Sequence, residues 1–211
     1  MSTQSIDIDT LAERLSAQTT ERRLLVALVG APGSGKSTVA ERLVSQLHRS
    51  KADCAALLPM DGYHYDNILL TELGRLARKG APDTFDVGGL RHMLLRLREN
   101  TDETVAIPVF DRSIEIARAG AGRISQQARI IVVEGNYLLL DLSPWSALAP
   151  FFDLTVSIRV TEAQLRWRLN ERWRRQGISP PDIPSKVEAN DLPNARTVLA
   201  HSLPADFVLE T

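Results

Sequence analysis

Apolar residues fall into short unbroken runs separated by stretches of helical spacing. Leu24-Leu25-Val26-Ala27-Leu28-Val29 is the first such run and ends at Gly30. An apolar hexapeptide closed by glycine predicts a strand covered on both faces, as in a parallel sheet. Comparable runs recur at 54–58, 104–109, 129–133, 154–160 and 206–209. Residues 36–49, 90–99, 162–176 and 194–201 lie between them with helical periodicity. Ile8, Leu11, Ala12 and Leu15 predict a leading helix within about 6–18, with Asp9 or Thr10 placed to cap it. Strand alternating with helix predicts an α/β fold, three layers around a mainly parallel sheet with right-handed crossovers. Ligands then belong at the carboxyl ends of the strands. Residues 61–89 and 110–127 are polar and rich in Gly and Pro, and are expected to be ordered excursions over that site.

Composition narrows the reading by exclusion. With 211 residues, 44% hydrophobic and 24% charged, the chain fits a single domain spanning 1–211 and excludes disordered, collagen-like and coiled-coil classes. Lys+Arg 25 against Asp+Glu 26 leaves a net charge of −1, so no global field attracts nucleic acid or an anionic membrane. Neither partner is expected. The lone Cys54 permits no intrachain disulfide and reads as an inert core thiol. The N-terminal residues lack a basic then apolar leader, and no apolar run nears the roughly 18 residues that span a bilayer, so a cytoplasmic location is expected.

The most specific chemistry follows the first run. Gly30-Ala31-Pro32-Gly33-Ser34-Gly35-Lys36-Ser37, continued by Thr38, fits the phosphate-loop pattern of two glycines four residues apart, then Lys and a hydroxyl. Gly30, Gly33 and Gly35 let the backbone wrap so that its N–H groups, Ser34 among them, point at phosphate oxygens. The following helix adds the positive end of its dipole. Lys36 is placed to reach the β/γ-phosphates of ATP and Ser37 to ligate Mg²⁺. The loop alone does not separate kinases from GTPases and motor ATPases.

Two carboxylates end other strands. Glu134 follows the run Arg129-Ile130-Ile131-Val132-Val133 and is expected beside the loop in a metal-linked or substrate-linked role. Asp61 follows Leu58-Pro59-Met60 at the same sheet edge, where it could take the proton of an attacking hydroxyl. The polar cluster Tyr63, His64 and Tyr65 is expected to grip a polar ligand. Arg166, Arg168, Arg172, Arg174 and Arg175 crowd one helix with only Glu171 among them. Such like charges repel unless an anion is present, which suggests a lid over about 162–180 closing on the transferred phosphoryl, the alternative being a solvated basic face. Asp86-Val87-Gly88-Gly89 imitates a GTPase switch, yet no apolar strand precedes it and no Asn-Lys-x-Asp signature exists. His48, His64, His92 and His201 have no metal-ligand spacing.

The order of motifs is recognisable. After the phosphate loop come Met60-Asp61-Gly62-Tyr63-His64, Arg78-Lys79-Gly80-Ala81-Pro82-Asp83-Thr84-Phe85-Asp86, Pro108-Val109-Phe110-Asp111-Arg112 and Val133-Glu134-Gly135-Asn136-Tyr137-Leu138-Leu139. This series resembles the uridine kinase, pantothenate kinase and phosphoribulokinase-like family over about residues 22–209, most of all its bacterial branch of nucleoside- or fructose-associated kinases. The resemblance implies a P-loop kinase that transfers the γ-phosphoryl of ATP to a hydroxyl of a small metabolite. A sugar such as fructose or a nucleoside is favoured, with a pantothenate-like acceptor also within the class. It implies Lys36 and Ser37 for phosphate and Mg²⁺, Asp61 as base, Glu134 near metal and substrate, and Arg168 with Arg172 as catalytic lid residues. Lys79, Asp111 and Arg112 would line the acceptor pocket, and Phe85, Asn136 and Tyr137 stand in its substrate-side motifs. Asn190 to Ala195 matches a segment of the same branch and carries no assigned role.

The loops around Tyr63 and Phe85 do not reproduce the pyrimidine-binding pattern of uridine kinases, and the pantothenate pattern is incomplete, so the acceptor stays open. A nucleoside monophosphate kinase is the nearest rival, drawing on Arg75, Arg78 and Arg112 to hold an acceptor phosphate. A non-catalytic nucleotide switch is the rival from another class. Whether the chain forms a homo-oligomer is likewise open.

Overall fold

A computed structural model describes residues 4–18 and 22–210. In chain order it contains β1 (Gln4–Ser5), α1 (Ile8–Ser16), β2 (Leu24–Val29), α2 (Lys36–Ser50), β3 (Ala55–Pro59), α3 (Asn67–Glu72), α4 (Val87–Glu99), β4 (Thr104–Asp111), β5 (Ile116–Ser125), β6 (Ile130–Gly135), β7 (Leu154–Arg159), α5 (Glu162–Arg175), α6 (Ile183–Lys186), α7 (Leu192–His201) and β8 (Phe207–Glu210). Six strands form one parallel sheet in the order β1-β8-β7-β2-β6-β3.

The apolar run of β2 is its axis, buried at all six positions between β6 and β7. Side chains alternate across a strand. Leu24, Val26 and Leu28 therefore pack into one core with α1, α2 and α5, while Leu25, Ala27 and Val29 pack into a second with α4 and the β4–β5 hairpin. The result is the three-layer α/β/α sandwich. Among the described residues no helix is long and apolar enough to cross a membrane.

Three details correct the sequence reading. The run at 104–109 does not join the parallel sheet; β4 pairs antiparallel with β5, which lies inside the supposed excursion at 110–127. Its burial explains this: Val105 and Ile107 are buried while Thr104 and Ala106 are exposed, the period of a strand covered on one face only. Helix α1 is capped by Asp7, not by Asp9 or Thr10. Asp7 is extended and accepts from the N–H groups of Asp9 and Thr10, both at 2.9 Å, because those two residues already lie in the first helical turn. Strand β1, two exposed residues paired with β8, has no apolar run to announce it.

Candidate nucleotide and acceptor site

Sheet register brings the motifs together. Val29 pairs with Gly135 and Pro59 with Glu134, so β2, β3 and β6 end at one level. The phosphate loop, the 3₁₀ turn Met60–Tyr63 and the segment from Glu134 to Asn136 leave the sheet at this common edge. Gly35 (φ 90°) and Gly33 (φ 81°) are left-handed, where a side chain is strained, and a Cβ on Gly30 would stand 2.5 Å from Ser34 Oγ. The loop thereby delivers the first turn of the 15-residue α2 to its own concavity. Lys36 begins that helix, buried, and its ammonium has no hydrogen-bond partner among the described residues. A ring of backbone amides with a buried, unspent ammonium fits a triphosphate. Thr38 stands exposed in the first turn of α2.

The second carboxylate position is equally constrained. Ser37 Oγ donates to Glu134 Oε1 at 3.2 Å, and Glu134 Oε2 is buried without a partner among the described residues. Burial pushes the Glu134 carboxyl upward, Asp61 adds to this, and Lys36 and Ser37 oppose it. No group of three or more His, Cys, Asp or Glu able to hold a metal occurs among the described residues. Magnesium bound to nucleotide phosphates needs only one or two protein ligands and keeps waters, so a hydroxyl and an orphaned carboxylate oxygen fit it.

Asp61 is fixed from behind. A Cβ on Gly62 would stand 2.3 Å from the carbonyl oxygen of Pro108, so the turn packs on β4 as only glycine permits. Arg112 donates to Asp61 Oδ2. Burial alone would raise the Asp61 carboxyl, but nearby His64, Arg112 and Lys36, with the Arg112 hydrogen bond, hold it below the usual range. The His64 ring lies 4.0 Å from Phe85 and 4.7 Å from Phe110, centroid to centroid, and burial pushes its pKa down.

A cavity of about 630 Å³ opens over these groups. Of the residues predicted for the site, Lys36, Asp61, His64, Lys79, Arg112, Asn136 and Arg172 line it. Arg168 reaches the loop instead, donating from Nη1 to the Ser34 carbonyl at 2.9 Å. Six residues predicted on the acceptor side, Tyr63, Tyr65, Phe85, Asp111, Glu134 and Tyr137, are not part of the cavity wall. Tyr63, Phe85 and Tyr137 are buried behind it: burial raises both phenols, Tyr137 spends its hydroxyl on the Gly80 carbonyl at 2.7 Å, and Phe85 packs edge-on against Tyr137 and Trp145. Asp111 lies between Phe110 and Arg112, both of which face the cavity, so strand alternation turns it away toward Ser113 and Arg118.

The crowded arginines of α5 also separate. Arg166 pairs with Glu162 and Glu188, and Arg174 with Glu171, so an anion is not needed to relieve them. Arg75 pairs with Asp83 and lies outside the cavity wall, unlike Arg78. Sequence reasoning missed Asn67, Trp173 and Lys186, all of which line the cavity. The undecided segment carries three more wall positions, Asn190, Asp191 and Asn194, around a π-helical turn at Val187–Asp191. Such an inserted residue often marks a functional site.

The model of the phosphoribulokinase/uridine kinase family matches residues 25–199. The chain belongs to this family. It is accordingly an ATP-dependent phosphotransferase acting on a hydroxyl group of a small molecule. This family member is 30% identical over 200 residues to a protein of Schizosaccharomyces pombe provisionally named uridine kinase C227.14, covering 90% of the chain and 84% of that protein. It is 32% identical over 151 residues to the pantothenate kinase of Enterococcus faecalis, covering 71% of the chain but only 47% of the relative. In three dimensions it is similar to a protein of Silicibacter sp. TM1040 provisionally named as a fructose transport system kinase, with TM-score 0.89, 39% identity, and coverage of 97% and 99% of the two chains.

Proposed function

We propose that this kinase transfers the γ-phosphoryl group of magnesium-bound ATP to a hydroxyl held beside Asp61. The carrying observation is the meeting of Lys36, Asp61 and the Ser37–Glu134 pair at one sheet edge, under a cavity large enough for a small metabolite. The amides of Gly30, Gly33, Gly35, Lys36, Ser37 and Thr38 cradle the phosphates while that of Ser34 donates to the Ala31 carbonyl at 3.0 Å and shapes the loop, and Lys36 supplies positive charge where the phosphoryl leaves. Ser37 and the unpartnered Glu134 Oε2 would hold the magnesium ion, which would supply positive charge to the nucleotide phosphates.

Asp61 accepts the proton of the attacking hydroxyl, which raises the nucleophilicity of that oxygen at the moment of attack. Arg112 keeps the carboxylate ionised and aimed. Arg168 and Arg172 form the inner face of the lid, one already on the loop and the other in the cavity wall. His64, Lys79 and Asn136 contribute polar wall to the acceptor side. Sugars such as fructose and nucleosides lead the acceptor class, with pantothenate-like alcohols beside them. The names of the related proteins span the same range. The test is ADP release by purified protein with magnesium ATP across these alcohols and nucleoside monophosphates. Turnover that depends on an added alcohol is expected; ATP hydrolysis indifferent to every acceptor would refute the reading.

A further inference from the structure

Arg78 and Lys79 both line the cavity, and neither is held by a carboxylate among the described residues. Arg78 donates from Nη1 to the Ala189 carbonyl at 2.6 Å and from Nη2 to Asn194 Oδ1 at 3.2 Å. Lys79 Nζ donates to Asn67 Oδ1 and to the Glu115 carbonyl, both at 2.6 Å. Neutral oxygens orient a cation without cancelling its charge, and both side chains retain unused donors. The contrast with their neighbours is direct. Arg75, Arg118, Arg166 and Arg196 each rest on a carboxylate, as arginines with no ligand to receive commonly do.

The bracing reaches far along the chain. Asn194 is buried, donates to Asn190 Oδ1 at 3.3 Å, and Asn190 donates in turn to the Lys79 carbonyl at 2.9 Å. A relay of amides, set by the π-helical turn, thus fixes two adjacent cations that make no ion-pair contact with a carboxylate among the described residues, the charges of Glu115 and Asp66 acting on Lys79 only from a distance. Their place relative to the chemistry is also defined. Lys79 and Arg112 both lie over the Phe110 ring, at 5.1 and 5.7 Å, and Arg112 touches Asp61. With Lys36, Arg168 and Arg172 assigned to the triphosphate, Arg112 on Asp61 and Lys186 over the Trp173 ring, Arg78 and Lys79 are the adjacent pair in the cavity wall left for the acceptor.

We infer that Arg78 and Lys79 bind an anionic group, a carboxylate or a phosphate monoester, carried by the phosphoryl acceptor itself. The substrate is then a small hydroxylated anion whose hydroxyl reaches Asp61 while its charge rests one aromatic ring away. This rests on the kinase reading of the same site and narrows its acceptor from neutral alcohols to charged ones.

The experiment uses the full chain with magnesium ATP and acceptors matched except for charge: glycerate against glycerol, pantothenate against pantothenol, and fructose 6-phosphate against fructose. The anionic member of at least one pair should show kcat/KM higher by about tenfold to a hundredfold, the range a charge-assisted hydrogen bond supplies. The carboxylate and phosphate arms identify the source of the charge. Arg78→Gln and Lys79→Gln should raise KM for that anion about tenfold or more, far beyond any change in KM for ATP, and Arg78→Lys should restore part of the loss. Where no acceptor turns over, ligand-observed NMR on the complex with a non-hydrolysable ATP analogue makes the same comparison by binding. Neutral members preferred, or glutamine variants that leave anion KM and binding unchanged, would overturn the inference with the kinase intact. Absence of magnesium ATP binding by calorimetry would instead overturn the kinase reading beneath it.

Discussion

Arg112 Nη2 lies 2.5 Å from Asp61 Oδ2, joining the end of the β4 strand to the turn that follows β3. Burial would by itself raise this carboxyl, and Arg112 contributes both charge and a hydrogen bond against that tendency. Arg112→Gln removes the charge, so the Asp61 pKa moves up. A general base works only when deprotonated. The acid limb of the kcat/KM profile should therefore shift to higher pH in the variant, with activity lost first on the acid side. Because the carboxyl is held below its usual range, the profile must be followed to the acid edge of the protein's stability, and a limb unshifted there would separate Asp61 from the proton transfer.

Asp61→Asn keeps the shape of the side chain and removes its capacity to take a proton. It should lower kcat by about 10²-fold or more. ATP affinity, read by calorimetry, should hardly change, because the phosphate loop proposed to hold ATP belongs to a different strand end. Wild-type turnover in this variant would remove Asp61 from its proposed role.

Glu134 offers a test of opposite sign in stability and binding. Its carboxyl is raised in the fold, chiefly by burial, so its contribution to stability is fully present below its unfolded value and is lost as pH rises through the folded one. Without magnesium or nucleotide, Glu134→Gln should therefore gain thermal stability relative to wild type as pH climbs from 5 to 8. Magnesium ATP should meanwhile bind about tenfold more weakly or worse, since the orphaned Oε2 is the atom lost. A variant destabilised at pH 8 with unaltered nucleotide affinity would mean that Glu134 is a structural acid.

What the sequence disclosed follows how locally each feature is encoded. The phosphate loop needs left-handed glycines, an ammonium and a hydroxyl within eight residues, so its chemistry is written in consecutive letters. Asp61 and Glu134 were legible because each ends an apolar run, and parallel register brings run ends together. Tyr63, Phe85 and Tyr137 misled because adjacency to a motif does not fix side-chain direction; a 3₁₀ turn and aromatic packing send all three into the core. Arg78 meeting Asn194 spans 116 residues and depends on a π-helical turn, for which periodicity offers no signal. The β4–β5 pair was missed because β5 exposes most of its residues and resembles a loop in composition.

Outside the site, Arg23 carries a structural load that sequence reasoning did not notice. Its guanidinium is buried and donates to three carbonyls: Ala128 at 2.7 Å, Ser125 at 2.8 Å and Leu97 at 3.0 Å. Leu97 lies in the last turn of α4 and Ser125 ends β5, so one side chain satisfies acceptors that two elements leave open. Burial, then Arg129, pushes its pKa down to about 10, which still leaves it charged at neutral pH. Arg23→Ala strands three carbonyls and opens a void, and should cost about 3 kcal/mol or more in urea unfolding at pH 7. Arg23→Lys, with a single ammonium on a flexible stem in place of a planar fork, should recover only part of this. An Arg23→Ala protein that unfolds at the wild-type urea midpoint would show that water serves these carbonyls as well as the guanidinium does.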